Sequence, residues 1–207
     1  MVRRNTRVTL NAVPMNSVGT KSKRVNNYDL VVLGVDPGTL ITGYGVVSRT
    51  NNEVRMIACG TINNKGAVLM PLRLKKIYEE LQNVISTYHP DEFAIESAFY
   101  GKNAQSALKL GHARGVSILA AVGQEIPTTE YSPREVKRAI VGSGAASKQQ
   151  VQFMVKSLLG ISGTKMLHDT SDALAIAICH AQRMVTPTTK HNDWKSYIEA
   201  HPEKIKR

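Results

Sequence analysis

Leu30 to Val35 is an unbroken apolar run of the length a central strand needs, and the turn-forming Asp36-Pro37-Gly38 stops it. Two further strands are predicted at about Gly43 to Ser48 and Val54 to Ile62, joined by the turn signal Asn51-Asn52, so the chain opens as an antiparallel meander. The period then changes. Leu74, Ile77, Tyr78, Leu81, Val84, Ile85 and Tyr88 share one helical face, and the helix they predict ends before Pro90. Phe93 to Glu96 is a short strand, Asn103 to Val122 a long helix rich in small residues, and Thr128 to Tyr131 a fifth strand. Helices follow at about Pro133 to Ile140 and Ser147 to Leu159, the second opened by the capping box of Ser147 and Gln150. A last, strongly apolar helix runs from near Asp169 to about Arg183.

This order predicts one α/β domain over residues 29–184, a five-stranded mixed sheet flanked by helices in the ribonuclease-H-like arrangement. A chain of 207 residues buries such a core without a disulfide or a structural metal. Residues 1–28 carry Arg3, Arg4, Arg7, Lys21, Lys23 and Arg24, with no acid before Tyr28 and no hydrophobic period, and read as a basic disordered arm. Three readings of the arm stand open: a non-specific DNA-binding tail, an upstream start artefact with Met15 inside it, or an organellar transit peptide. Residues 185–207 read as a polar tail with one short helix around Trp194 to Ala200.

Charge narrows the partners. The 27 Lys and Arg against 16 Asp and Glu leave a formal +11, the footprint of a polyanion-binding surface; nucleic acid leads, with a merely solvated basic surface as the alternative. Cys59 and Cys179 lie far apart in apolar stretches without CxxC spacing, so they read as core residues in a reducing compartment rather than a zinc or redox pair. No run approaches the roughly 20 apolar residues of a membrane helix, and the N-terminus lacks the apolar core of a secretory signal. The expectation is a soluble, cytoplasmic protein.

Four acids carry the candidate chemistry. Asp36 ends the first strand, where α/β sheets place their active sites, although Asp-Pro-Gly is equally an ordinary turn. Glu96 follows the apolar Phe93-Ala94-Ile95, and because an unpaired buried carboxylate is costly, it faces either a cation or water at a sheet edge. Asp169 and Asp172 share one face at the start of the last helix, where either also suits an N-cap or the helix dipole. In this fold the first strand, fourth strand and last helix lie side by side, so the four acids converge. Such a cluster needs a counter-charge, and oxygen-only ligands suit Mg²⁺ or Mn²⁺. Two such ions about a phosphate imply in-line phosphodiester hydrolysis.

The sequence around these acids is recognisable. Gly34-Val-Asp-Pro-Gly-Thr39, followed by Thr42-Gly-Tyr-Gly-Val46, resembles the opening of the RuvC family of Holliday-junction resolvases. Ala94-Ile-Glu-Ser-Ala-Phe99, Lys102-Asn-Ala-Gln-Ser-Ala-Leu-Lys-Leu-Gly111 with Ala113-Arg-Gly115, Val136-Lys137 with Val141-Gly142, and Asp172-Ala-Leu-Ala-Ile-Ala177 follow in the family's order and approximate spacing. The match covers about Leu30 to Gln182.

The resemblance implies a metal-dependent, structure-selective endonuclease that cuts four-way DNA junctions as a homodimer. It implies two Mg²⁺ per subunit, with Mn²⁺ as substitute, and a place beside the RuvA and RuvB branch-migration proteins in recombination and repair. The family's acidic metal ligands carry over to Asp36, Glu96, Asp169 and Asp172. Some members have His at the position of Asp169, and His168 beside it is either an assistant or a solvated helix-start residue. Lys137 and Lys148 match basic positions near the scissile phosphate, where a cation steadies developing charge. Phe99 resembles an aromatic that stacks on an exposed base at the junction centre, an interaction of about 1–3 kcal/mol. Lys102, Lys109 and Arg114 are then candidate phosphate contacts. The long helix with Gly111 and Gly115 is implied to form the dimer, against the alternative of ordinary packing on the sheet.

Three rival readings remain. A strand followed by Asp-x-Gly-Thr also opens the phosphate site of actin-like and sugar-kinase proteins, but those have two duplicated domains and this chain shows no second such segment. An inactive DNA-binding dimer would not need all four acids. An exonuclease or RNA-cleaving relative would keep the chemistry and change the substrate; against it, Phe99, the long helix and the paired lysines speak only through the resemblance.

Overall fold

The computed structural model describes residues 30–66, 69–97, 104–162 and 166–183. Phe99, Lys102, the basic arm and the C-terminal tail lie outside the described residues. Strands β1 (Leu30–Asp36), β2 (Ile41–Thr50) and β3 (Glu53–Asn63) form the antiparallel meander. Helix α1 (Met70–Tyr88), strand β4 (Glu92–Glu96), helix α2 (Ala104–Val122) and strand β5 (Thr128–Tyr131) follow. Helices α3 (Pro133–Val141), α4 (Lys148–Leu158) and α5 (His168–Arg183) are the last of the described elements. The sheet order is β3-β2-β1-β4-β5, with β4 parallel to both β1 and β5. This is the five-stranded mixed sheet of a ribonuclease-H-like fold. Helix α1 begins before the amphipathic pattern does, at Met70, because Pro71 suits a first helical turn.

The pleat decides which side chains meet. In β1, Leu33 and Val35 enter the core shared with α1 and α2, while Val32 enters the core shared with α3, α4 and α5. Period two then brings Asp36 out on the α5 side. In β4, Phe93 and Ile95 point to the α1–α2 core and Ala94 to the other, so Glu96 emerges on the α5 side as well. Helix α5 lies between the sheet and the pair α3 and α4, and is apolar nearly all round because it is covered on nearly all sides.

Candidate active site

Asp36 pairs in register with Gly43 on β2. A side chain at position 43 would run into the Asp169 backbone, so this glycine lets the first turn of α5 rest directly on the sheet beside Asp36. Asp169 and Asp172, one turn apart, come to the same face. Glu96 ends the parallel neighbour of β1, and the Ser97 amide donates to the Tyr131 carbonyl at 2.8 Å, fixing where the chain leaves β4.

Two helix starts aim lysines at these acids. At α4, the Ser147 hydroxyl accepts from the Gln150 amide at 3.2 Å and Gln150 Oε1 accepts from the Ser147 amide at 2.8 Å. Lys148 follows this capping box, and its Nζ reaches Asp172 Oδ2 at 3.3 Å. At α3 the structure adds a second capping box, Ser132 with Glu135. Lys137, one turn further on, stands near enough to Glu96 for its charge to lower that carboxyl.

Asp36 is the most perturbed group. Burial, then the charges of Glu96, Asp172 and Asp169, push its carboxyl up to about 8, against the opposing pull of Lys148. Burial and then Asp172 also raise Glu96, while Lys148, a hydrogen bond with Asp36 and Lys137 hold it down. Without a cation, Asp36 therefore holds a proton near neutrality and shares it with Glu96. Lys148 is raised, chiefly by Asp172, and stays charged.

Four oxygen donors from three elements, with no sulfur among them, suit a hard divalent cation. Among the described residues, no three acidic, histidine or cysteine side chains are already closed around one point as a preformed metal shell. The Asp36–Glu96 and Lys148–Asp172 contacts are ones a cation would have to replace. The donor chemistry fits a metal, and without one Asp36 is hydrogen-bonded to Glu96 while Lys148 pairs with Asp172.

Among the described residues, His168, Lys109 and Arg114 make no hydrogen bond or ion pair with these four acids. His168 is the exposed first residue of α5. Lys109 is exposed on α2, whereas Arg114 is ion-paired with Glu130 on β5, its side chain 21% exposed, so its charge is already answered within the fold. Gly111 and Gly115 are exposed, and a Cβ at either would meet nothing within 4 Å; they face away from the sheet rather than packing on it. On the Lys137 side a cleft opens beside Arg134, a residue the sequence analysis did not single out. The available signal was its spacing of three from Lys137 on a predicted helix.

Sheet order, helix placement and the acidic corner together define a ribonuclease-H-like protein of the resolvase class. Residues 32–180 match the family model "Crossover junction endodeoxyribonuclease RuvC", and the chain belongs to the RuvC family. It is 42% identical over 177 residues to the Salinibacter ruber protein of that name, covering 85% of this chain and 99% of the relative. The Saccharophagus degradans protein of the same name is 52% identical over 150 residues, 72% of this chain and 86% of the relative. Among solved structures, T. thermophilus RuvC in complex with Holliday junction substrate matches with a TM-score of 0.71 at 30% identity, covering 75% of this chain and 95% of that one. A yeast mitochondrial Holliday junction resolvase, 16% identical with a TM-score of 0.51 over 74% of this chain and 84% of that one, shares the fold.

Proposed function

We propose that this chain is a divalent-metal-dependent endonuclease that resolves four-way DNA junctions by symmetric paired nicks, in homologous recombination and repair. The observation that supports this most is the convergence of Asp36, Glu96, Asp169 and Asp172 on one face of a RuvC-family sheet, with Asp36 pushed up to about 8. These four carboxylates would hold two Mg²⁺, with Mn²⁺ as a substitute. Cations held there would supply Lewis-acid activation of water and charge neutralisation at the leaving oxygen. The protein's own groups do the rest. Lys148 at the start of α4 and Lys137 in the middle of α3 steady the scissile phosphate, and burial around Asp36 strengthens each of these interactions. Lys109 and Lys102 are the proposed backbone contacts and Phe99 the base-stacking aromatic; Arg114 would reach DNA only by leaving Glu130.

The same reading makes the protein a homodimer. Leu108, Gly111, Gly115, Leu119 and Val122 form one stripe on the outer side of α2, with Leu108 63%, Leu119 59% and Val122 54% exposed. The glycines leave room for a second helix backbone to approach. Two sites related by a two-fold axis would nick opposing strands of a junction of matching symmetry. By family resemblance, RuvA and RuvB are proposed partners and a bacterial cytoplasm the compartment. No helix among the described residues is long and apolar enough to cross a membrane.

A labelled synthetic four-way junction beside a matched linear duplex, each with Mg²⁺ and with chelator, tests the reading. Paired, symmetric, ligatable nicks confined to the junction with Mg²⁺ are expected. Cutting in chelator, or equal degradation of both substrates, would overturn it. Asp36→Asn should slow cutting by roughly 10²–10³-fold or more while leaving junction binding and dimerisation in place.

A further inference from the structure

Helix α3 starts where β5 ends, at the same carboxyl end of the sheet as Glu96, because Glu96 and Tyr131 are register partners and Ser132 caps the helix. Beside that start lies an open cleft of ≈410 Å³ lined by Ser132, Pro133, Arg134, Lys137 and Gly144. The lining holds two cations and no acid. Among the described residues Arg134 has no ion-pair partner. Its neighbour Glu135 is committed elsewhere, accepting from the Ser132 amide at 2.9 Å and hydroxyl at 2.8 Å and pairing with Arg183 at 3.2 Å.

Gly144 shapes this cleft. A Cβ there would stand 2.6 Å from Arg134 Cγ and 3.2 Å from the Arg134 carbonyl oxygen, so the glycine lets the loop press against the arginine stem. The same loop leads to Ser147 and Lys148 at the acidic cluster. Lys137 belongs to both places, lining the cleft and lowering the Glu96 carboxyl.

We propose that this cleft seats a DNA backbone phosphodiester next to the scissile one, with Arg134 as its cation. The inference rests on the reading of the chain as a junction endonuclease and adds to it a residue that grips the strand beside the cut. Arg134 and Lys137 are three residues apart on one face of α3 and both line this cleft, so their two charges stand side by side toward a single strand. Their long side chains therefore meet neighbouring phosphates, the guanidinium by a two-pronged contact and the ammonium as a point charge. Such a contact sets the register of the strand and acts on binding rather than on the chemical step.

The test uses the full-length protein, a synthetic four-way junction and a linear duplex, with affinity measured against salt and cutting measured at saturating junction. Arg134→Ala should weaken junction binding roughly tenfold, reduce the log-log salt slope by about one, and leave kcat within about twofold; Arg134→Lys should recover part of the loss. A junction carrying one neutral methylphosphonate beside the cleavage point should cost the wild type a similar factor and cost Arg134→Ala nothing further. Gly144→Ala, which keeps every charge but displaces the Arg134 stem, should show a smaller loss of the same kind. An unchanged affinity and slope in Arg134→Ala would overturn the proposal, as would penalties of the variant and the neutral phosphate that simply add, or a fall confined to kcat. An Arg134 effect on both DNAs with no junction preference would keep the cleft and sink the junction reading. A junction preference without an Arg134 effect would do the reverse, and absence of DNA binding would sink both.

Discussion

Asp36 is held against its ordinary preference, and the metal-free protein bears the consequence. With its carboxyl moved from 3.8 up to about 8, the folded chain keeps a proton that the unfolded chain releases, so stability falls as pH rises between those values. His180 acts in the opposite sense. It is 2% exposed with Nδ1 2.9 Å from the Tyr131 hydroxyl, and burial, then Arg183, bring it down from 6.5 to about 4. Here the unfolded chain takes the proton first, so stability falls as pH drops from about 6.5 to about 4. The neutral ring also means that the 3.6 Å approach of Nε2 to Glu92, a group itself raised by burial, is no ion pair near neutrality despite its geometry. Above pH 6.5 only the Asp36 slope remains between these two groups. Thermal melts of metal-free protein should therefore give a lower Tm at pH 8 than at pH 6.5, by about 2–4 °C for each kcal/mol involved. Asp36→Asn should flatten that window and raise the pH 8 value, and Mg²⁺ should raise the wild-type value. A wild-type Tm that holds level from pH 6.5 to 8 would mean that Asp36 ionises freely.

At the scale of elements, the site depends on how closely α5 approaches β1 and β2. Gly34, Gly43 and Gly45 each stand where a Cβ would strike that helix, but they strike different things: backbone of Asp169 at Gly43, chiefly the Leu174 side chain at Gly45. Both Gly43→Ala and Gly45→Ala should destabilise by about 1–3 kcal/mol through overpacking. Only Gly43→Ala should also weaken Mg²⁺ binding in calorimetric titration, because relief there moves Asp169 itself; equal metal affinity in the two variants would contradict this. The elements themselves were legible because their periods switch cleanly, from the run Leu30 to Val35 to the helical face through Leu74 and Leu81. The four acids were legible as strand-end and helix-start residues, but their convergence needed the fold order and the family likeness. What approaches Gly43 was not legible, since a glycine in a strand announces a close contact without naming the partner. The Arg114–Glu130 pair joins α2 to β5 and follows no local spacing. The Ser132–Glu135 box, by contrast, was present in the sequence as Ser-x-x-Glu and went unread.

At the scale of the whole molecule, the described residues of one chain bring one such acidic corner together, and resolving a four-way junction takes two cuts. The stripe on α2 is where a second copy would add the other site, and Gly111 is the place to interrogate it. A Cβ at Gly111 meets nothing within 4 Å, and a glycine inside a helix is replaced at no cost in propensity. A larger side chain should therefore leave the folded subunit intact and act on association alone. Gly111→Glu and Gly111→Lys both place like charges face to face across a two-fold seam, so both should yield monomers in sedimentation at micromolar concentration. They change the formal +11 in opposite directions, so their effects on DNA affinity should differ in sign once dimer loss is accounted for. That contrast separates the seam from the DNA surface. Either monomer should retain Asp36-dependent cutting, but junctions should accumulate with one strand nicked and no ligatable pair of products. If both variants remain dimers and still cut in pairs, α2 is not the seam, and the two sites must be brought together by another face.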